Sequence, residues 1–280
     1  MTEIPVQYRM AVDTYQPVNF EGILLYPIKV RDYEAFGNAR PAIDFLQQSL
    51  PVRYLSMPLL SAFYAMDVEN LSQGKESDGY FLRSMLFLVL SLRYRPELPV
   101  KNRLHEFMSG VYSSADDPTV LKRIEFEQDG ETKEITPILF SRMRPVLAAQ
   151  NGIELISTDA NPELIEAERD LAELNGPEID YNLQSLLSFV AALSHAEESE
   201  IYDWPILKLN RRRGSYERVL QFLLCGLASA NGAQFKGGNP VPSPIYARKE
   251  QTSNALIDMA AFTKGQKVSI SEKNGPPQFQ

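Results

Sequence analysis

Two stretches of almost continuous apolar side chains, Tyr54–Met66 and Phe81–Tyr94, constrain the fold of this chain most. A surface helix keeps one polar face, whereas these stretches offer none, so each is predicted to form a buried helix. Pro58 fits the first turn of the first helix, and Arg95-Pro96 ends the second, because proline disrupts a helix interior. The two helices are predicted to form the core of an N-terminal domain.

The composition is that of an ordinary globular protein. The chain has 280 residues, 44% of them hydrophobic and 23% charged, so it can bury a sizeable core. Its most apolar run, Met85–Leu92, is too short to span a bilayer and is flanked by Arg83 and Arg93. The segment Met1–Met10 contains Glu3 and lacks the apolar core of a secretory signal. We therefore expect a cytoplasmic protein without a membrane partner.

Net charge and cysteine content exclude further classes. The formal net charge of −8 opposes a general nucleic-acid binder, which needs a basic surface, so a nucleic-acid partner is not expected. Cys225 is the only cysteine, so the chain can form neither an internal disulfide nor a thiolate zinc cluster. Its neighbours in Phe222–Leu227 are apolar, and Cys225 is therefore predicted to be a small buried hydrophobic residue.

A β-hairpin is the clearest local prediction. Two short alternating runs, Leu121–Gln128 and Glu131–Thr136, flank the dipeptide Asp129-Gly130. Glycine accepts the positive φ that a two-residue primed turn needs, and this register places Ile124 opposite Ile135. A calcium loop would need further ligands that the flanking sequence does not provide.

The N-terminal region has strand character. Phe20–Val30 is rich in β-branched and aromatic residues, and Pro27 indicates an edge strand or a bulge. Asp32 then fits the N-cap of a short helix through Tyr33 and Phe36.

Four more helices are predicted from their end signals in the second half of the chain. An N-cap residue before proline, or an acidic residue, marks each start, and Asn-Gly marks most ends. The predicted starts are Thr136-Pro137, Asn161-Pro162, Asp180 and Asp203-Trp204-Pro205, and the predicted ends are Asn151-Gly152, Asn175-Gly176, His195 and Ala230.

These elements predict an α+β fold that is predominantly α-helical, with an N-terminal strand region and a central hairpin around residues 121–136. Residues 1–115 are predicted to form an N-terminal α+β domain, and residues 116–235 the hairpin followed by a helical domain. Residues 236–280 are rich in glycine and proline, and they are predicted to form an extended connector, a short helix and a mobile tail.

No catalytic, cofactor-binding or metal-binding site is predicted. His105 and His195 are the only histidines, and neither lies in a pattern of metal ligands. Glycine-rich phosphate loops and nucleophile elbows are absent from the sequence. The acidic pairs Asp116-Asp117 and Glu197-Glu198 are adjacent, so their carboxylates point apart. A hydrolase whose two carboxylates come from distant positions stays open as an alternative.

A cluster of basic and aromatic residues is the candidate protein interface. Arg211, Arg212 and Arg213 form either a solvated helix face, paired with the acidic stretch Glu197–Asp203, or a docking patch for an acidic partner or a nucleic acid, the last being opposed by the net charge. Tyr202 and Trp204 beside them are either core residues or interface anchors, since Trp, Tyr and Arg dominate binding hot spots.

Several segments together carry a family resemblance. They are Phe20–Tyr33, Ile179–Tyr181, Tyr202–Pro205, Arg211–Tyr216, Ala230–Gly232, Lys236–Gly238 and Pro244–Arg248. In these segments the chain resembles the tail assembly chaperones of bacteriophages that infect Gram-positive bacteria. The resemblance implies a helical, non-enzymatic protein of the bacterial host cytoplasm, which coats the tape-measure protein, recruits tail-tube subunits and is absent from the finished particle.

A short apolar helix near the C-terminus suits such a role. Leu256 and Phe262 lie in this predicted helix and are further candidate interface residues, because an amphipathic helix can bind in a partner's groove. Self-association is left open. The alternatives are a structural tail or baseplate component of a phage or phage-like particle, and the carboxylate hydrolase.

Overall fold

The computed structural model describes residues 4–155, 167, 182–232 and 243–245 of the chain. The chain divides into two compact units, residues 1–247 and 248–280, and every described residue belongs to the first. This part of the chain has the predicted α+β, mainly helical fold. None of its helices is both long and apolar enough to cross a bilayer.

In the described residues of the first unit, a helix precedes a two-stranded hairpin, four helices follow, and a three-stranded sheet precedes the remaining helices. The helices are α1 (Val6–Asp13), α2 (Tyr33–Ile43), α3 (Leu59–Ser72), α4 (Tyr80–Ser91), α5 (Val100–Met108), α6 (Pro137–Gln150), α7 (Leu183–Ser194), α8 (Glu198–Ile201) and α9 (Ile206–Ala230). The strands are β1 (Val18–Phe20), β2 (Ile23–Leu25), β3 (Val111–Ser113), β4 (Leu121–Gln128) and β5 (Glu131–Ile135). β1 pairs with β2, and β4 lies between β3 and β5, with every pair antiparallel.

The two predicted buried helices are confirmed as α3 and α4. α4 buries residues on all sides, including Met85 and Phe87, and the Phe87 ring lies 6.0 Å from that of Phe36 on α2. α3 begins at Leu59, later than the predicted start at Tyr54. Pro58 occupies its N-cap, and the residue before a proline disfavours helical backbone, so the helix cannot extend further back.

The central hairpin is confirmed together with its register. Ile124 pairs with Ile135, and both side chains are fully buried. Asp129 and Gly130 have φ angles of 55° and 77°, as the primed two-residue turn requires.

The N-terminal region contains strands, as predicted, but they are shorter than the predicted range. The sequence predicts strand character over Phe20–Val30, whereas the strands end at Leu25 and the chain turns back at Glu21 and Gly22, whose φ angles are 52° and 86°. Asn19 Oδ1 accepts a hydrogen bond from the Gly22 amide at 2.9 Å and holds the turn. The result is a second, shorter hairpin, β1–β2.

Buried amide side chains complete the hydrogen bonds of the segment that follows. Gln128, at the end of β4, accepts from the Leu24 amide and donates to the Leu24 carbonyl, both at 2.9 Å. Asn151, after α6, accepts from the Ile28 amide at 2.9 Å. We call residues 24–31 the spine segment, because it joins β4, α6 and the helices at the end of the unit.

The spine segment also fixes the start of α9. The Val30 amide donates to the Trp204 carbonyl at 2.9 Å, and the Arg31 amide donates to the Tyr202 carbonyl at 3.0 Å. These bonds attach the junction between α8 and α9 to the N-terminal half of the chain, so the direction in which α9 leaves the core is set.

The helix starts agree with the prediction for α6 and differ from it in part for α2 and α7. Thr136 caps α6 as predicted and accepts from the Leu139 amide at 3.2 Å. Asp32 lies at the N-cap of α2, but its side chain makes no capping hydrogen bond, which corrects that prediction. α7 is capped by Asn182 and begins after the predicted start at Asp180, which lies outside the described residues. Of the helix predicted to start at Asn161, only residue 167 is described, and the short predicted helix with Leu256 and Phe262 lies outside the described residues.

Candidate protein interface

Only the first half of α9 is attached to the core. Ile206, Leu207 and Leu209 are its buried residues, and the Tyr216 ring contacts the Phe189 ring of α7 at 6.4 Å. After Tyr216 no residue of this 25-residue helix is buried, so the second half extends beyond the core.

The second half of α9 carries a row of exposed apolar side chains. Val219, Leu220, Leu223, Leu224 and Leu227 have exposed fractions of 41%, 39%, 57%, 66% and 64%. Residues at i, i+1, i+4, i+5 and i+8 lie on one side of an α-helix, so the five side chains form a continuous surface. We call it the leucine stripe. Contiguous exposed apolar surface of this kind marks binding sites in proteins.

The leucine stripe was not predicted from the sequence. Cys225 in the apolar stretch Phe222–Leu227 was predicted to be buried, and this prediction is wrong because Cys225 is partly exposed. A leucine-rich stretch in a sequence looks the same whether its face meets a core or solvent. The predicted length of the helix could have indicated the exposed stripe. A helix of this length carries apolar residues further from its start than one packed domain can cover.

Tyr202 and Trp204 hold the junction before α9 in place. Both are partly buried against the core, and the Lys208 ammonium lies 3.9 Å from the centre of the Trp204 ring. Between them, Asp203 accepts a hydrogen bond from Lys29 Nζ at 2.7 Å and forms a second ion pair with Arg31. The hydrogen bond from Lys29 lowers the pKa of Asp203 below its ordinary value. Tyr202 and Trp204 therefore serve the attachment of α9.

The three consecutive arginines have different surroundings. Arg211 forms an ion pair with Asp13 at 2.9 Å, and Arg213 Nε lies 3.4 Å from a carboxylate oxygen of Glu217. Arg212 is exposed and contacts no hydrogen-bond acceptor, carboxylate or ring among the described residues.

The expected pairing of these arginines with the acidic stretch Glu197–Asp203 is wrong. Arg211 turns instead toward α1, since α9 passes the end of that helix, and Asp203 is occupied by Lys29 and Arg31. The remaining predicted interface residues, Leu256 and Phe262, lie outside the described residues.

Groups with potential chemistry are dispersed over the described part of the chain. His105 and His195 are both exposed, on α5 and at the end of α7, and no group of three His, Cys, Asp or Glu residues there could hold a metal ion. Burial raises the pKa of Asp67 on α3, where Ser77 donates a hydrogen bond to its carboxylate at 2.7 Å.

Two open clefts lie beside the three-stranded sheet. One of about 340 Å³ lies between β4 and the loop after α4, and one of about 450 Å³ lies between β5 and the start of α6. Asp67 lines neither cleft. The leucine stripe is therefore the feature of the described residues that points most directly to a function.

Comparison with known proteins adds no relative. No protein-family model, no curated protein and no solved structure matches this chain.

Proposed function

We propose that this chain is a non-enzymatic phage tail assembly chaperone, which binds the tape-measure protein through the leucine stripe and recruits tail-tube subunits in the cytoplasm of the bacterial host. The observation that carries the proposal is the exposure of five adjacent apolar side chains on the free half of α9. The identity of the partners comes from the resemblance of residues 20–33 and 202–216 to such chaperones.

The shape of the leucine stripe suits a helical partner. Its side chains form ridges at i, i+4 spacing, which pack into the grooves of a second helix about 8–10 Å away. The chaperones that this sequence resembles act on a tape-measure protein that is a long helical chain. A chaperone with a projecting apolar helix can cover such a chain and keep it from aggregating.

The size of the leucine stripe limits what it can do alone. Covering a half-exposed leucine gains roughly 1 kcal/mol, so five such side chains supply roughly 5 kcal/mol before the cost of association is subtracted. A micromolar complex needs about 8 kcal/mol. Additional contacts must therefore accompany the leucine stripe.

Co-purification with the tape-measure protein of the same phage tests the proposal. We expect the wild-type chain to retain the tape-measure protein, and a Leu223→Gln/Leu227→Gln variant to retain about tenfold less, because polar side chains remove the apolar contact. Leu71→Gln is the matched control, since Leu71 on α3 is 66% exposed but lies outside the leucine stripe. Circular dichroism of both variants checks that the fold is kept.

Equal retention by wild type and the double variant would rule out the leucine stripe as the binding surface. Mass spectrometry of purified particles separates the chaperone from its alternative. The chaperone is expected to be absent from virions, whereas a fixed number of copies per particle would identify a structural tail or baseplate component.

A further inference from the structure

The leucine stripe continues toward the core as a basic surface. Lys208, Arg212 and Tyr216 follow one another at i, i+4 and i+8 on α9, and the same line continues through Leu223 and Leu227. We call Lys208 and Arg212 the basic end. Tyr216 packs against Phe189 of α7, so a partner helix reaches these two cations along the side of α9 that carries Val219 and Leu223.

Neither cation of the basic end forms an ion pair with a described residue, although Glu200 lies close enough to act on the charge of Lys208. Arg211 and Arg213 have carboxylate partners in Asp13 and Glu217, but Arg212 has none there. Lys208 lies over the face of the Trp204 ring, which leaves its charge in place.

Burial and two neighbouring charges act on the pKa of Lys208. Burial lowers it first, and the like charge of Arg212 lowers it further, while Glu200 opposes the shift. The chain as a whole has a net charge of −8, so the sign of the basic end is opposite to that of the whole chain.

We infer that the partner segment is an acidic amphipathic helix, whose apolar side chains cover the leucine stripe while its carboxylates bind Lys208 and Arg212. The inference rests on the proposed function and narrows its target to acidic helical segments of the tape-measure protein. Leu223 follows Arg212 by eleven positions, so the carboxylates and the centre of the apolar row lie about 16 Å apart on the partner, or about three helical turns.

Charge complementarity adds a defined direction of binding and selectivity between partners, which the leucine stripe alone does not provide. Apolar contact is similar for any leucine-rich helix, whereas opposite charges at one end fix the direction in which the partner lies and exclude basic helices. Ion pairs at the edge of an interface are also screened by salt, which gives this contact a signature of its own.

Salt-dependent binding of the full chain to the full-length tape-measure protein tests the inference. Between roughly 50 mM and roughly 500 mM NaCl we expect about a tenfold loss of affinity. At the lower salt concentration, Arg212→Glu should bind about tenfold more weakly than wild type. Raising the salt concentration should weaken the binding of this variant only slightly further. Lys101→Glu, an exposed charge reversal on α5, is the matched control and should bind as wild type does.

Synthetic peptides that tile the tape-measure sequence identify the segment by fluorescence anisotropy. The tightest peptide should carry Asp or Glu about three turns from its apolar row, and changing those acids to Lys should restore binding to the Arg212→Glu chain. Binding that is lost in Leu223→Gln/Leu227→Gln but is insensitive to salt and to Arg212→Glu would overturn the inference and leave the proposed function intact. A wild-type chain that binds no tape-measure protein would overturn both.

Discussion

Gly110 illustrates how a single residue position can be fixed by its neighbours. It lies between α5 and β3, where its carbonyl accepts from the Glu125 amide at 2.8 Å. A Cβ atom added at this position would lie 2.0 Å from the Glu125 carbonyl oxygen, which belongs to the backbone of β4 and cannot rotate away. The requirement for glycine here is therefore steric and involves no positive φ.

Gly110→Ala should destabilise the protein by about 1–3 kcal/mol, because β3 and β4 must move apart to accept the methyl group. Gly37→Ala is the matched control inside α2, where the added Cβ meets nothing within 4 Å. It should stabilise by roughly 0.5–1 kcal/mol, since alanine is the better helix former. Urea denaturation of the two variants measures both effects, and equal midpoints would contradict the steric argument.

Residues with a local role could be predicted from sequence. Thr136 and the Asp129-Gly130 turn act on amides within a few positions, and both predictions are confirmed. Glu21-Gly22 forms the same kind of turn, but glutamate is an unusual residue at positive φ, and no pattern pointed to it. The steric role of Gly110 depends on a strand that follows in the sequence, so local rules cannot detect it.

At the scale of elements, amide side chains supply hydrogen bonds that a neighbouring strand would otherwise give to the spine segment. Gln128 presents a donor and an acceptor with the spacing of a neighbouring strand, and Leu24 pairs with it through both backbone groups. A buried backbone group without a partner costs about 1–3 kcal/mol, so these side chains stabilise the fold as strongly as core residues do.

Gln128→Met keeps the shape of the side chain but leaves the Leu24 amide and carbonyl without a partner. We expect a loss of roughly 2–4 kcal/mol in the free energy of unfolding, measured by urea denaturation. Gln7→Met, at an exposed position on α1, should change stability by less than about 0.5 kcal/mol. If Gln128→Met were as mild as this control, the amide bonds to Leu24 would contribute nothing measurable.

The extent of α9 was predictable, but its environment was not. Pro205 and Asn231-Gly232 mark both of its ends in the sequence, and the helix is confirmed between them. Which of its leucines are covered depends on how far the rest of the unit reaches. The partner of Arg211 is Asp13, which is 198 positions away, and no local rule identifies such a contact.

At the scale of the whole unit, packing falls from the centre toward the end of α9. α4 is surrounded by apolar side chains, and Met85, Phe87 and Leu88 are fully buried. The second half of α9 buries no residue. Local opening requires less free energy where few apolar contacts are lost, so the two helices should differ in dynamics.

Hydrogen exchange followed by mass spectrometry tests this gradient. Backbone amides of residues 217–230 should exchange at least roughly tenfold faster than those of α4, because opening α9 exposes little new apolar surface. Bound partner should slow the exchange in 217–230 and leave α4 unchanged. Equal protection of both helices in the free protein would show that α9 is covered in solution.

The amide bonds of the spine segment also set an order of events during synthesis. The Leu24 amide can form its bond only after Gln128 has been made, 104 residues further on. The Ile28 amide can do so only after Asn151 has been made, 123 residues further on. At roughly 5–20 residues per second, a ribosome needs about 6–25 s to make that stretch. During this time the nascent N-terminal hairpin holds its edge open to water, so it cannot reach its final state before residue 151 has left the ribosome.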